Sequence, residues 1–244
     1  MRINQEKCTG CWMCLEYCPA GALKERTDVS SIKLYVDEEL CFECGLCRRI
    51  MICPEVAFEE SDGISEYPRV IRALFSDPNT THKLTMVPGR GTEESKTNDV
   101  TGRIKRGALG LCIEFGRPGL GSTFQNISLM TTRLKTLGVE FEQNNPLTQL
   151  MDSETGNFPD PLLSERVLSA ILEIRLGSPG ELEKVIPVIM EVSQKIDTVF
   201  SLSVISRFEE SGELPVLEQL SRMGIAYAPN AKVNLGLGKP LVGL

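Results

Sequence analysis

Histidine is nearly missing from this sequence: His82 is the one copy in 244 residues. A Ser–His–Asp or Cys–His arrangement needs a histidine beside a nucleophile, and a catalytic zinc site draws most of its ligands from histidines. A single histidine in a polar stretch nearly excludes both, and His82 reads as a surface residue before it reads as a ligand. The carboxylates are scattered, so no acid–base pair can be picked out. Long apolar runs are also lacking, and none approaches the roughly 20 residues of a membrane span, so no membrane partner is expected. No secretory leader is visible, since Met1-Arg2-Ile3 enters an alternating stretch directly. A soluble cytoplasmic protein is expected, in a compartment that keeps thiols reduced. Excess positive charge is missing too: 26 basic against 33 acidic residues leave a formal charge of −7, which argues against a nucleic-acid partner. With 41% hydrophobic and 24% charged residues the composition is that of an ordinary globular chain.

What the sequence does have is cysteine, and eight of its nine cysteines lie in two runs. Cys8, Cys11, Cys14 and Cys18-Pro19 form C-x2-C-x2-C-x3-C-P, and Cys41, Cys44, Cys47 and Cys53-Pro54 form C-x2-C-x2-C-x5-C-P. Three cysteines at this interval let one tight loop aim three thiolates at a single centre, with the loop's N–H groups turned toward cluster sulfurs. The fourth thiolate must come from elsewhere. Ile3-Asn4-Gln5-Glu6-Lys7-Cys8 lines up with Val36-Asp37-Glu38-Glu39-Leu40-Cys41, so the runs are halves of a repeat that must pack as a pair. Zinc would accept four thiolates, but its patterns are pairs of C-x2-4-C and not triplets. A disulfide framework suits a small secreted domain.

Residues 1–60 resemble the bacterial-type dicluster [4Fe–4S] ferredoxins. The resemblance implies two [4Fe–4S] clusters, with the fourth cysteine of each run serving the other cluster. Cluster I then takes Cys8, Cys11, Cys14 and Cys53, and cluster II takes Cys41, Cys44, Cys47 and Cys18. The longer interval before Cys53 leaves two outcomes. If Arg48-Arg49-Ile50-Met51-Ile52 bulges outward, Cys53 is a ligand. If it does not, cluster I is a three-iron cluster or open to solvent. Pro54 and the apolar tail after it favour the first. Trp12 and Met13 either shield cluster I or mark a docking face. The negative charge suits a redox partner with a positive patch.

Residues 61–106 read as an extended linker that wraps the next domain or contacts a substrate or partner, interrupted by a short amphipathic piece at 70–75. From residue 107 the pattern turns regular. Leu109, Leu111, Ile113 and Phe115 alternate as a strand, with Cys112 on its other face as a small core residue. Ile127, Met130, Leu134 and Leu137 recur at helical spacing, with Ser122 or Thr123 as N-cap and Gly138 as the stop. A short strand at 139–142 follows, and then the alternation of Leu168, Ala170, Leu172, Ile174 and Leu176. Ser178-Pro179-Gly180-Glu181 has the form of a capping box opening a helix that Pro187 should kink. Phe200, Leu202 and Val204 form a strand, 215–223 a helix, and Val233, Leu235 and Leu237 a last strand. The order β-α-β-β-α-β, then α-β, predicts an α+β chain: a dicluster module, then a split-βαβ sandwich over 107–244 with an extra α-β at its C-terminus.

Gly116-Arg117-Pro118-Gly119-Leu120-Gly121-Ser122-Thr123 lies between a strand and a helix. Gly116, Gly119 and Gly121 either supply positive φ to a turn or, with Arg117, Ser122 and Lys239 of a second glycine run, hold an anionic ligand. It is not a dinucleotide fingerprint or a P-loop. Residues 89–106, 116–119 and 234–240 resemble the ferredoxin-bearing part of 6-hydroxynicotinate reductase-type iron–sulfur flavoproteins. That resemblance implies low-potential electrons sent to a ring-reducing site, with flavin or substrate on a partner subunit. The reading is an electron-transfer subunit of an anaerobic oxidoreductase complex, meeting a redox partner or catalytic subunit, with a homo-oligomer possible. Two others stand beside it. One is a reductase binding flavin or a small N-heterocyclic carboxylate at the 116–123 loop, and the other is a redox-sensing regulator.

Overall fold

Period-two alternation in the cysteine-bearing first sixty residues is short, and so are its strands. The computed structural model describes residues 1–26, 33–81, 103–116 and 119–227. Within the first sixty, β1 (Arg2–Ile3) precedes the first loop, β2 (Leu23–Arg26) and β3 (Lys33–Val36) form a hairpin, and α1 (Leu46–Arg49) and β4 (Phe58–Glu59) complete the second half. β1 pairs antiparallel with β4, setting Ile3 opposite Phe58, while β2 pairs with β3, setting Leu23 opposite Val36. Strands of the two halves are thus interleaved. Met1, Ile3, Leu23, Leu34, Ala57 and Phe58 form a small core that draws in Cys14 and, at its margin, Cys8, Cys18, Cys41, Cys47 and Cys53.

The amphipathic piece inside the 61–106 segment is a helix, α2 (Val70–Ser76), and it is more than a connector: Ile71 and Phe75 belong to the main core. That core is built on four strands, β5 (Leu109–Phe115), β7 (Glu140–Phe141), β9 (Ala170–Leu176) and β10 (Phe200–Ser206), with a separate two-stranded ribbon of β6 (Ser122–Thr123) and β8 (Arg166–Val167). The helices are α3 (Phe124–Lys135), α4 (Asp160–Leu163), α5 (Leu182–Ser193) and α6 (Pro215–Arg222). The strand order is β10-β5-β9-β7, with every neighbouring pair antiparallel. Leu109, Leu111, Ile113 and Phe115 of β5 and Leu172, Ile174 and Leu176 of β9 point to one face, as period two requires. There they meet Phe124, Ile127, Met130 and Leu134 of α3, and Leu182, Val185, Ile189 and Val192 of α5, the i, i+3, i+4 stripe of each helix.

The opposite face is covered as well, so alternation by itself understates its burial. Cys112, Glu114, Ile171 and Glu173 are all buried there. Residues 103–106 lie across it: Arg103 reaches Glu173 at 3.4 Å, and Ile104 sits over Gly110, where an added Cβ would come within 2.8 Å of its Cδ1.

Thr123 caps α3, its hydroxyl accepting from the Asn126 N–H at 3.3 Å, and Gly138 turns the chain at φ +73°. The expected capping box at Ser178 is not made. Ser178 is extended and its side chain caps nothing; Pro179–Glu181 form a 3-10 turn that leads into α5, which runs on through Pro187 on its exposed side. The expected last strand at 233–237 and His82 lie outside the described residues. Among the described residues no helix is long and apolar enough to cross a membrane.

Candidate metal centre

Each cysteine loop takes its shape from two left-handed residues. In the first they are Gly10 (φ +70°) and Trp12 (φ +66°), and in the second Glu43 (φ +53°) and Gly45 (φ +66°), at matching positions after the leading cysteine. Left-handed backbone is costly for a side chain such as Trp12 or Glu43 and persists where surroundings hold it. The turn after each Cys-Pro matches too, with Gly21 at φ +58° and Val56 at φ +48°. The halves are therefore equivalent in backbone and not only in spacing.

The two loops differ where the spacing differs. Leu15–Tyr17 make one 3-10 turn before Cys18, whereas α1 is a four-residue α-turn that continues into Met51, left-handed at φ +50° and 83% exposed. The additional residues bulge outward, and Cys53 is placed as Cys18 is. The Ala22 N–H donates to Cys18 Sγ at 3.3 Å, and the Ala57 N–H donates to Cys53 Sγ at 3.4 Å.

The charges that bear on the thiols come from both halves, although among the described residues no group of three or more His, Cys, Asp or Glu side chains stands where it could hold a single metal ion. Burial pushes the Cys14 thiol up, and the charges of Cys53, Cys11 and Cys8 add to it. Burial pushes Cys47 up to about 12, with Cys44, Cys41 and Cys18 adding to it. Cys41 is pushed up to about 11 by burial and by the Glu43 carboxylate, and Cys44 is raised by burial and by Cys18. The thiolate is the metal-ligating form, so metal loading displaces protons from such thiols. Cys18, Cys41, Cys44 and Cys47 line one cavity together with Met1, Ala22, Leu23, Val36, Phe42 and Leu46. Four thiols in an apolar shell, with backbone N–H groups aimed at sulfur, are a donor set that fits an iron–sulfur cluster. The first loop is the more open: Cys14 is buried, but Cys11 is exposed and Met13 is 53% exposed.

The second loop is also tied down by charge. The Glu43 carboxylate is buried, and burial alone would raise its pKa. Hydrogen bonds and charge from the Met1 amino group, at 2.7 Å, and from Arg69 outweigh that and hold it below the usual range. Arg72 of α2 donates to the carbonyls of Glu38 (2.7 Å) and Cys41 (2.8 Å) and pairs with Glu165, both side chains nearly buried. None of these partners is adjacent in sequence. The available signal was an arginine inside the otherwise apolar Val70-Ile71-Arg72-Ala73-Leu74-Phe75 stretch.

Of the glycine run after β5, Gly121 receives Phe42 of the second cysteine loop. Gly116 (φ +79°) and Gly121 (φ +69°) are closed by a hydrogen bond from the Gly121 N–H to the Gly116 carbonyl at 3.1 Å. A Cβ on Gly116 would lie 2.6 Å from the Leu168 carbonyl oxygen, and one on Gly121 would lie 2.3 Å from Phe42 Cζ. These two glycines are filled by the protein itself, while Gly119 faces open space. Ser122 is buried, its hydroxyl donating to the Thr123 carbonyl at 3.1 Å. Arg117 and Lys239, the cations of the expected anion site, lie outside the described residues, as do residues 89–102 and 234–240. Cys112 sits within β5, opposite Glu173 and Ser203. Gly121→Ala should force Phe42 or the turn to move, lowering stability by about 1–3 kcal/mol. Thermal denaturation checks this, and Phe42→Ala on the same chain should restore part of the loss.

The 4Fe-4S binding domain model matches residues 1–24. A 52-residue stretch is 40% identical to one component of the ion-translocating oxidoreductase complex of Methanosarcina acetivorans, covering 21% of this chain and 17% of that protein. The chain thus spans about a sixth of that relative's length. No solved structure matches the chain. The N-terminus of this iron–sulfur protein, with its first cysteine run, is a 4Fe–4S binding domain.

Proposed function

We propose that the chain transfers electrons through two [4Fe–4S] clusters, as the ferredoxin-type subunit of an anaerobic oxidoreductase complex. One cluster is held by Cys8, Cys11, Cys14 and Cys53, the other by Cys41, Cys44, Cys47 and Cys18. The observation that supports this reading is the pair of equivalent left-handed loops with equivalent N–H donors to Cys18 and Cys53, together with the cavity that Cys18 shares with Cys41, Cys44 and Cys47. In fold terms the chain is α+β, with a dicluster module over 1–60 and a split-βαβ domain within 107–244. The similarity to a component of an oxidoreductase complex supports a role alongside partner subunits.

A [4Fe–4S] cluster, when bound, carries one electron at a time. The protein's part is to place, shield and tune. The first loop leaves Cys11 and Met13 accessible, and the bulge before Cys53 leaves Met51 accessible, so a partner protein meets the chain at these exposed residues. The second loop faces inward, with Phe42 seated on Gly121 and the Cys41 carbonyl held by Arg72, so the second domain lies next to the inner cluster. The low-potential chemistry of 6-hydroxynicotinate reductase-type flavoproteins is the finer version of this proposal, with flavin and substrate on a partner.

Anaerobic reconstitution with ferrous iron and sulfide, followed by metal analysis and EPR of the reduced protein, tests it. The expected result is about eight irons per chain and two [4Fe–4S] signals. Iron near zero, or stoichiometric zinc from anoxic purification, would rule it out.

A further inference from the structure

The two quartets have unequal surroundings, and the inequality bears on which of them holds the electron. Arginines reach into the second loop. Arg49 donates to the Cys44 carbonyl, Arg69 pairs with Glu43, and Arg72 donates to the Cys41 carbonyl. Arg49 is shared with Asp77, whose carboxylate also lies beside Gly45, and Arg69 is matched by Glu43 within the loop. Arg72 stands apart. Its side chain is 8% exposed, it meets the loop through Nη1, and it meets its counter-ion Glu165 through Nε. The positive charge therefore touches the ligand loop directly, while the negative charge that balances it is held on the guanidinium's other nitrogen, by a residue of the second domain. Water screens little at such a depth.

Resting on the two-cluster reading above, the geometry points to Arg72 as the residue that makes the inner cluster the easier of the two to reduce. Cluster potentials follow local charge, hydrogen bonding and exposure. Burial opposes an added electron at the inner site, and the Arg72 charge beside the Cys41 carbonyl favours it. The outer site, with Cys11 exposed, depends on water instead. An electron given up by a low-potential donor protein first reduces the outer site. Its passage inward then reoxidises that site by one electron and reduces the inner site by one. Arg72 is a positioning and tuning residue here and touches no substrate.

The test uses the full chain, reconstituted anaerobically and assayed for iron before any potential is read. Redox titration followed by EPR then gives the order of reduction, with Cys53→Ser as the reference for the inner site alone. In the parent chain the inner site should reduce first. Arg72→Gln combined with Glu165→Gln removes both buried charges and keeps shape and polar groups. At full iron content it should lower the ratio of reduced inner to reduced outer site about tenfold, or 59 mV for a one-electron couple. Glu165→Gln alone should raise that ratio, and Arg72→Lys should keep most of it. An unchanged ratio in the double variant would overturn the assignment. Loss of inner-site iron in every variant would also overturn it, because Arg72 would then be a mechanical clamp only. A parent chain without iron would reject the two-cluster reading itself, and this inference with it.

Discussion

Cys18→Ser should remove half of the iron, and the half it removes should belong to the site built by Cys41, Cys44 and Cys47. A serine oxygen is a poor substitute for thiolate at a soft iron–sulfur centre, so one substitution is enough to lose the cluster that depends on it. Double variants identify the site without assigning any spectrum. Groups that act as one unit are not additive when removed together. Cys18→Ser with Cys41→Ser should therefore keep as much iron as either alone, whereas Cys18→Ser with Cys8→Ser should keep almost none. Cys53→Ser should behave as the mirror image, paired with Cys8 and independent of Cys41. The opposite pattern, in which Cys18 and Cys8 fall together, would mean that each run closes on itself. That would overturn the proposed exchange of fourth ligands between the two runs.

Phe124→Ala should destabilise the main core by about 3–5 kcal/mol, the range for truncating a fully buried aromatic side chain. Phe124 opens α3 and is 0% exposed. Its ring stands edge-on to Phe75 of α2 at 5.8 Å and to Phe158 at 5.1 Å. Three separate segments meet at this ring, so no single neighbour can collapse into the space it leaves. Urea denaturation followed by circular dichroism checks the prediction through a lower midpoint at unchanged slope. Because α2 also carries Arg72, with Arg69 just before it, the variant should release inner-site iron faster than outer-site iron on mild heating. A loss of less than about 1 kcal/mol would show that the core around Phe124 repacks, contrary to the dense interior expected of proteins.

These two substitutions probe different kinds of information. Cys18 could be singled out from spacing alone, because a triplet loop has only three thiolates to offer and Cys18-Pro19 follows at a set distance. Phe124 could be placed only as the start of a helix after Thr123. Its aromatic neighbours come from residues 75 and 158, which no local pattern connects. The 116–123 run shows the same division. Its glycines could serve a turn or a ligand on sequence grounds, and in the structure Gly116 and Gly121 are closed by Leu168, by each other and by Phe42. Ser178 shows the reverse failure: the residues of a capping box are all present, yet the hydrogen bond is absent because Pro179–Glu181 form a 3-10 turn and Ser178 stays extended.

Local chemistry written in the chain determined the thiolate runs, the half-repeat that joins them, and the periods of β5, β9, α3 and α5, because backbone geometry repeats every two or 3.6 residues whatever lies elsewhere. Tertiary structure alone decided that Arg72 meets Glu165 across 93 positions, that Phe42 fills the hollow at Gly121, and that Glu43 is buried against Met1 and Arg69. Those contacts join residues far apart in sequence, and their energies come from burial and charge proximity, which exist only once the segments have packed.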